Sequence, residues 1–262
     1  MGTDSAYGLL PGPSCYDADV SIKAVTFDFW DTLFPRLGRD GGTDVAEARS
    51  EAIRSYLVKL GMSFSLERCR EAHEVANRGH LQHWHTGMFQ PTVDEALDAI
   101  CGELGCELTH EQRAELALAL QLRDAVTDTG PFAGVAELMP GLAERFRLGI
   151  ISDTWLTPGE VPRLLLNKHG LLELFGAFVF SDETGLLKPH ERQFRVACEA
   201  LNVRPDEAIH VGDSERRDVV GARQFGMRAV LLDWDGTHGE SLADAVVRDF
   251  RDLGPAIDRL TG

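Results

Sequence analysis

Four polar residues at the ends of apolar, strand-like stretches have the side chains needed to transfer a phosphoryl group. Asp28 follows the first such stretch, Ser152 ends LGIIS, Lys188 lies shortly after AFVFS, and Asp213 ends AIHVGD. In such a set one carboxylate attacks phosphorus, a Mg²⁺ ion bridges it to the phosphate, and the lysine and hydroxyl bind phosphate oxygens. Two carboxylates converging on one edge also repel each other unless a cation lies between them, which favours a metal.

The elements that must position these residues form the pattern of a parallel α/β sheet. The strand-like runs LGIIS, AFVFS, AIHVGD and RAVLLD alternate with helical stretches over 134–146, 159–169, 190–201 and 215–226. This alternation predicts right-handed crossovers and a doubly wound parallel sheet. Ligands bind outside the carboxyl ends of the strands in such sheets, where the four polar residues fall.

A long helical stretch separates the first strand, IKAVTFDFW, from the second. The segments beginning at Thr92 and Thr109 fit capping boxes, each of which opens an apolar-periodic run. We therefore expect an inserted all-helical domain. The predicted organisation is a flexible tail over 1–20, an α/β core over 21–35 and 130–262, and the helical insert over 36–129.

Composition restricts the partners of the chain. Its 262 residues carry 42 Asp and Glu against 26 Lys and Arg, a net charge of −16. This charge disfavours binding to nucleic acid or to an anionic membrane, since no basic patch offsets phosphate repulsion. No apolar run approaches the roughly 18 residues that span a bilayer. The five scattered cysteines indicate a reducing compartment, so we expect a cytoplasmic protein; the sequence does not indicate its oligomeric state.

With these residues in place, the sequence resembles the haloacid dehalogenase-like superfamily over nearly everything after residue 20. VTFDFWDTLF is similar to its first motif, GIISDT to its second, SDETGLLKPHERQF to its third and HVGDSERRDVVGAR to its fourth. The resemblance implies a Rossmann-like core with the insert as a helical cap. It also implies a magnesium-dependent phosphatase that acts on a small phosphorylated metabolite through an aspartyl-phosphate.

The resemblance assigns a role to each residue at a motif position. Asp28 would be the nucleophile, with Ser152 and Lys188 as the other catalytic residues. The implied phosphate-binding residues are Thr32, Ser152, Asp153 and Lys188. The implied magnesium ligands are Asp28, the Trp30 carbonyl, Asp213 and Asp218, the last of which would ligate the ion or orient its ligands.

Trp30 departs from the superfamily pattern. Phosphatases of the superfamily usually carry there a second Asp that serves as general acid, and an indole cannot protonate a leaving alkoxide. Four explanations stay open. Asp31 could shift to reach the leaving group, or a cap histidine could supply the proton. Alternatively, the leaving group could need no proton, as in an acyl phosphate, or the leaving group could be halide. The candidate histidines are His80, His83 and His85.

The halide explanation makes a 2-haloacid dehalogenase the alternative function, because such enzymes of the superfamily carry an aromatic residue at the position of Trp30. Against it, they need no magnesium, lack the acid supplied here by Asp213, and carry a tyrosine at the position of Phe194. A second alternative is a catalytically impaired member whose cap binds a ligand or a protein.

Three further patterns receive a structural interpretation. AVLLDWDGTH, with Asp233 and Asp235, also looks like a first motif, but only about 30 residues follow it, too few for the remaining motifs. We interpret it as a strand and a Gly-containing turn. His80, His83 and His85 do not share one helical face, and Cys101 and Cys106 lack CxxC spacing, so we expect no zinc site in either.

Overall fold

A six-stranded parallel sheet forms the centre of the protein, in a computed structural model that describes residues 20–39, 44–86 and 88–261. The predicted tail therefore lies outside the described residues, except for Val20. The strand order is β3-β2-β1-β4-β5-β6, with every neighbouring pair parallel. The strands are β1 (Ala24–Phe27), β2 (Arg147–Ser152), β3 (Phe175–Phe180), β4 (Ala208–Gly212), β5 (Arg228–Leu232) and β6 (Ala245–Val247).

Eleven α-helices occur in the described part of the chain, and none of them has the length and apolarity needed to cross a membrane. The first five lie before residue 130: α1 (Val45–Lys59), α2 (Leu66–Thr86), α3 (Val93–Leu104), α4 (His110–Leu120) and α5 (Arg123–Thr127). The others are α6 (Val135–Ala143), α7 (Glu160–Lys168), α8 (Ser181–Thr184), α9 (Glu191–Leu201), α10 (Gly221–Phe225) and α11 (Leu253–Thr261).

Helices cover both faces of the sheet, which confirms the predicted doubly wound α/β architecture. Side chains of β1 alternate between two cores, as the two-residue period of a strand requires. Val25 and Phe27 pack with α6, α7 and α11, whereas Ala24 belongs to the core formed with α9 and α10. Both cores exclude water almost completely, so the strand ends are held rigidly.

Helices α1 to α5 are here called the inserted helices, and the first four of them surround a core of their own, whereas Val126 of α5 packs into the core on the sheet. Ile53, Leu97 and Leu116 are fully or almost fully buried in the core of the first four helices, together with Trp155 and Leu156 from the loop after β2. The predicted capping boxes are confirmed: Thr92 and Thr109 accept the backbone N–H of the third residue of α3 and α4, and the side chain of that residue returns the bond. The bounds of the predicted domains stay a prediction.

The segment predicted as one helix over 215–226 begins as a π-helix, Glu215–Val220, and continues as α10. The Val219 N–H donates to the Ser214 carbonyl at 3.2 Å, a bond one residue longer than in an α-helix. The Ser214 N–H in turn donates to Asp218 Oδ2 at 2.9 Å. The wider turn thus fixes the Asp218 carboxylate directly beside the end of β4.

Candidate active site

The carboxyl ends of β1, β2 and β4 bring three of the predicted site residues together. Phe27, the last residue of β1, pairs in register with Ile150 on one side and Val211 on the other. Asp28 continues this register, since its N–H donates to the Val211 carbonyl at 2.9 Å. Ser152 ends β2 and Asp213 follows β4, so both flank Asp28 at the same edge.

Lys188 lies between Asp28 of the first motif and Asp218 of the fourth and contacts both carboxylates. Its Nζ lies 2.8 Å from Asp28 Oδ1 and 2.6 Å from Asp218 Oδ1, and only 1% of the side chain is exposed. Burial alone would lower the pKa of Lys188, but the carboxylates of Asp218 and Asp28 outweigh it and raise the pKa above its usual value. The ammonium group therefore keeps its charge and fixes the position of the Asp28 carboxylate.

Asp218 is held by partners on both of its oxygens. Oδ1 accepts from Lys188 and lies 3.1 Å from His210 Nε2, while Oδ2 accepts from the Ser214 N–H. Burial would raise the pKa of Asp218, but Lys188 and His210 hold it well below its usual range. Sequence reasoning missed His210, although a lone polar residue inside the apolar strand AIHVG was a signal; its Nδ1 lies 2.9 Å from Thr26 Oγ1.

Asp213 completes a cluster of carboxylates suited to a hard cation. One oxygen each from Asp28, Asp213 and Asp218 lie within 4.8 Å of one another. Asp213 Oδ1 is buried and has no hydrogen-bond partner among the described residues. Burial raises the pKa of Asp213 to about 7, and the charges of Asp28 and Asp218 add to this effect. An all-oxygen donor set with one unpartnered oxygen fits Mg²⁺.

Trp30 offers this edge a carbonyl oxygen and an apolar wall. Its ring lies edge-on to that of Phe29, with 4.8 Å between centroids. In the part of the chain that the structure describes, its carbonyl accepts no hydrogen bond. The residue has no side-chain acid, so a proton for a leaving group must come from elsewhere.

Three predicted phosphate-binding residues end in buried polar atoms that have no partner among the described residues. These atoms are Thr32 Oγ1, Ser152 Oγ and Asp153 Oδ2. The other Asp153 oxygen accepts the Lys188 N–H at 2.8 Å, and burial raises the pKa of Asp153 to about 6. Buried polar atoms without partners are costly, so each of these three atoms is a candidate for a hydrogen bond to a ligand.

Asp31, the first candidate for the missing acid, is engaged elsewhere. Its backbone has a positive φ of 58°, and its carboxylate pairs with Arg36 and, at 3.3 Å, with Arg39. Trp234 Nε1 donates to its carbonyl at 2.7 Å, which fixes the turn from the other side. To reach a leaving group, Asp31 would have to give up both arginines.

The three candidate histidines of α2 do not converge. The His80 ring stacks on that of Trp155 with 4.7 Å between centroids, whereas His85 is exposed and its Nδ1 lies 3.4 Å from Arg216 Nη1. Burial lowers the pKa of His80 to about 4, so it is neutral at pH 7. No histidine belongs to the metal-binding group found among the described residues.

The second aspartate-rich stretch forms a turn, as interpreted from the sequence. Asp233 Oδ1 accepts the N–H groups of Thr237 at 3.2 Å and His238 at 3.5 Å. Asp235 is mostly exposed and pairs with Arg39 at 3.8 Å. Asp233 follows β5, which is separated from β1 by β4, so it does not join the carboxylate cluster.

A cavity of about 260 Å³, here called the insert cavity, lies between the inserted helices and the strand ends. Trp30 follows β1, and Asp153 and Trp155 follow β2, so the cavity adjoins the site of Asp28 and Ser152. Its other wall includes Arg49 of α1 and His73 and His80 of α2, of which sequence reasoning named only His80.

Comparison with known proteins gives concordant results. The family model of haloacid dehalogenase-like hydrolases matches residues 22–226. A glyceraldehyde 3-phosphate phosphatase of Methanopyrus kandleri is 29% identical over 219 residues, 80% of this chain and 84% of the relative. A phosphoserine phosphatase of Thermus thermophilus is 44% identical over 94 residues, 35% of this chain and 37% of the relative. The structure of a 2-haloacid dehalogenase from Pseudomonas syringae shares the fold, with a TM-score of 0.68 at 21% identity, covering 91% of this chain and 99% of that one.

Proposed function

We propose that this chain, which belongs to the haloacid dehalogenase-like hydrolases, is a magnesium-dependent phosphatase that forms an aspartyl-phosphate on Asp28. The observation that carries the proposal is the cluster of Asp28, Asp213 and Asp218, in which Lys188 contacts two carboxylates and Asp213 Oδ1 has no partner among the described residues. The phosphatases among its relatives agree with this chemistry.

In the first step an Asp28 carboxylate oxygen forms a bond to phosphorus while the bond from phosphorus to the substrate oxygen breaks. Water then attacks phosphorus, releases inorganic phosphate and restores the carboxylate. Lys188 neutralises charge on the transferring group, and the Thr32 and Ser152 hydroxyls donate to its oxygens. These three groups lie on rigid strand ends or are buried, which limits their movement during the reaction.

Magnesium, when bound, supplies positive charge that stabilises the oxygens of the transferring phosphoryl group. Asp28, Asp213 and the Trp30 carbonyl would hold it. Asp218 would act through its bonds to Lys188, His210 and Ser214, because both of its oxygens already have partners. The substrate would be a small metabolite, since the insert cavity beside the site measures about 260 Å³, and the inserted helices would act as a cap that excludes water.

Dehalogenation is the second candidate, and the aromatic Trp30 favours it. The shared fold with a 2-haloacid dehalogenase does not separate the two reactions, because the likeness concerns architecture alone. Asp213 favours the phosphatase: a second carboxylate beside Asp28, half-buried with one unpartnered oxygen among the described residues, gains nothing in halide displacement but would bind a metal in phosphoryl transfer. Phe194, fully buried with its ring edge-on to His210, does not line the insert cavity.

The test measures phosphate release from a panel of phosphomonoesters and acetyl phosphate, with Mg²⁺ and with chelator, by wild type, Asp28→Asn and Asp233→Asn. We expect Mg²⁺-dependent turnover that Asp28→Asn abolishes. Asp233→Asn is the matched control, an aspartate that follows a strand of the same sheet but caps a turn, and it should retain turnover. Halide release from 2-haloacids without Mg²⁺ would contradict the proposal in favour of a dehalogenase, and no turnover in either assay would favour a binding protein.

A further inference from the structure

The insert cavity contains an unusual charge. Arg49 lies in its wall with only 7% of its surface exposed, yet no carboxylate of the described residues pairs with it. Its Nε donates to the Leu120 carbonyl at 3.1 Å and its Nη2 to Thr157 Oγ1 at 2.9 Å, so neutral acceptors hold the guanidinium in place. A buried arginine without a counter-charge is rare, and more so in a chain of net charge −16.

Two buried neighbours of Arg49, Trp155 and His73, add polar nitrogen atoms and no negative charge of their own. Trp155 Nε1 and His73 Nε2 are buried without a hydrogen-bond partner among the described residues, and Arg49 Cζ lies 5.5 Å from the Trp155 ring centroid. Burial, together with the charge of Arg49, lowers the pKa of His73 to about 4, so it stays neutral at pH 7. Among the described residues that line the cavity, the acid is Asp153, which interacts instead with Lys188 and Arg217.

We propose that the insert cavity binds a carboxylate of the substrate, and that the chain therefore acts on small phosphorylated acids. The inference rests on the proposed phosphatase function. Arg49 Nη1 has no partner among the described residues, and a guanidinium edge matches the two oxygens of a carboxylate. The cavity of about 260 Å³ adjoins the phosphate site through Trp30 and Asp153, so both anionic groups of one few-carbon molecule fit.

The experiment compares kcat/KM for 3-phosphoglycerate and glycerol 3-phosphate, which share a three-carbon chain and differ in the carboxylate. Wild type should prefer the acid by about 10-fold or more, and Arg49→Met should reduce that preference by about 10- to 100-fold. Trp155→Phe, which keeps an aromatic ring but loses its N–H, should reduce it less. Arg54→Met is the control, because Arg54 lies on the same helix but pairs with exposed Glu51.

The ratio of two substrates separates binding from folding, because a misfolded fraction lowers both rates equally. A wild-type ratio near one, or a ratio unchanged in Arg49→Met, would overturn the carboxylate site. Hydrolysis of p-nitrophenyl phosphate, which has no carboxylate, distinguishes failure of the phosphatase proposal from failure of the carboxylate site. Its absence with Mg²⁺ would refute the phosphatase function, whereas its presence without acid preference would refute only this inference.

A separate observation concerns the acid that Trp30 cannot supply. Asp153 lines the same cavity as Trp30; its Oδ1 is held by the Lys188 N–H, and its Oδ2 has no partner among the described residues. We infer that Asp153 Oδ2 donates the proton to the leaving oxygen as its bond to phosphorus breaks, and then takes a proton from the attacking water. Burial raises the pKa of Asp153 to about 6, so near neutral pH a much larger fraction of this carboxyl is protonated than of an ordinary exposed aspartate.

Leaving-group dependence tests this role. Asp153→Asn should lower kcat/KM, which reports formation of the aspartyl-phosphate, by about 10²- to 10⁴-fold for an alkyl phosphate, but by less than about tenfold for p-nitrophenyl phosphate, whose leaving group needs no proton. The Asn side chain keeps an acceptor for the Lys188 N–H. An equal loss on both substrates would show a merely structural role and overturn the assignment, as would an unchanged alkyl rate.

Discussion

Three carboxylates occupy one corner of the sheet edge, and Lys188 balances only part of their charge. Asp28 and Asp218 each contact the ammonium group, whereas Asp213 Oδ1 has no partner among the described residues. In the absence of metal, Asp213 therefore carries the least compensated charge of the site. Its ionisation should oppose folding, and a cation should reverse that effect.

The Asp213→Asn substitution tests this balance, because it should raise stability without Mg²⁺ and reduce the stabilisation that Mg²⁺ provides. The folded pKa of about 7 lies above the ordinary 3.8, so wild type loses stability as pH rises from the ordinary value through about 7. Without Mg²⁺ at about pH 8, the variant should be more stable by on the order of 1–3 kcal/mol in urea unfolding.

Saturating Mg²⁺ should stabilise wild type by mass action and the variant much less, so the difference should shrink or change sign. The same comparison near pH 3, where the carboxyl is mostly protonated in both the folded and the unfolded state, is the control and should show little difference. A variant less stable than wild type without Mg²⁺ at high pH would contradict the charge argument.

Gly212 makes room for the Asp218 carboxylate. A Cβ at Gly212 would lie 2.2 Å from Asp218 Cγ, a distance that forces the carboxylate away from Lys188 and His210. Gly212→Ala should therefore lower kcat by about 10-fold or more and destabilise the fold by about 1–3 kcal/mol, in phosphate-release and urea-unfolding measurements.

Gly79→Ala is the matched control, because Gly79 lies within α2 and a Cβ there meets no atom within 4 Å. Alanine is the better helix former, so this change should leave kcat unaltered and raise stability by up to about 1 kcal/mol. Equal behaviour of the two alanine variants would show that Gly212 has no role in placing Asp218.

Sequence reasoning identified the site residues at the strand ends, because the carboxyl ends of parallel strands all lie at the same edge of the sheet. It could name Asp28, Ser152 and Asp213 from order and periodicity alone. It did not identify Arg49 or His73 as site residues. Both lie on helices about 20 and 45 residues beyond Asp28, and helical periodicity gives the buried face but not the cavity that this face borders.

At the scale of elements, α2 connects the insert to the loop after β2. His73 and His80 of this helix both lie near Trp155, with ring-centroid distances of 6.0 and 4.7 Å. His73 is 3% exposed, and its Nε2 has no hydrogen-bond partner among the described residues. A protonated imidazole there would be a second buried cation beside Arg49, so this contact should depend on pH.

His73 should make the protein less stable as pH falls below neutrality. Burial and Arg49 depress its folded pKa to about 4, so the stability it contributes is complete above about pH 6.5 and is lost between pH 6.5 and 4. At pH 5 the loss should reach about 2 kcal/mol relative to pH 7.5.

His73→Leu, which removes the titrating group, should abolish that part of the pH dependence in urea unfolding at both pH values. Exposed His85 of the same helix gives the control, and His85→Gln should follow the wild-type pH dependence. A His73→Leu variant that loses as much stability as wild type on acidification would disprove the assignment.

The elements themselves were predictable to different degrees. Helices α3 and α4 begin where their capping boxes predict, because Thr92 and Thr109 accept backbone N–H groups of the first helical turn, which lack a partner within the helix. Strand β6 was not predicted, since three residues at a sheet edge give no period, and α8 is a four-residue turn. The π-helical start of the segment over 215–226 depends on the bond from Ser214 to Asp218, which periodicity cannot show.

At the scale of the whole molecule, a chain of net charge −16 is proposed to bind anionic substrates. The proposed attraction is local and comes from Lys188 beside Asp28 and from Arg49 in the insert cavity, both almost completely buried. The repulsion is long-range and comes from acidic residues spread over the surface. Salt screens exposed charges over about 8–10 Å at physiological ionic strength but weakens buried interactions much less.

Raising NaCl from about 20 to about 200 mM should therefore increase kcat/KM, by about two- to fivefold, at saturating Mg²⁺. The increase should be larger for 3-phosphoglycerate than for glycerol 3-phosphate, because the carboxylate adds one negative charge to the approaching molecule. kcat should stay constant, since screening changes the approach and not the bound state. A fall of kcat/KM with salt would mean that surface cations near the cavity guide the substrate, and that the overall negative charge does not govern its approach.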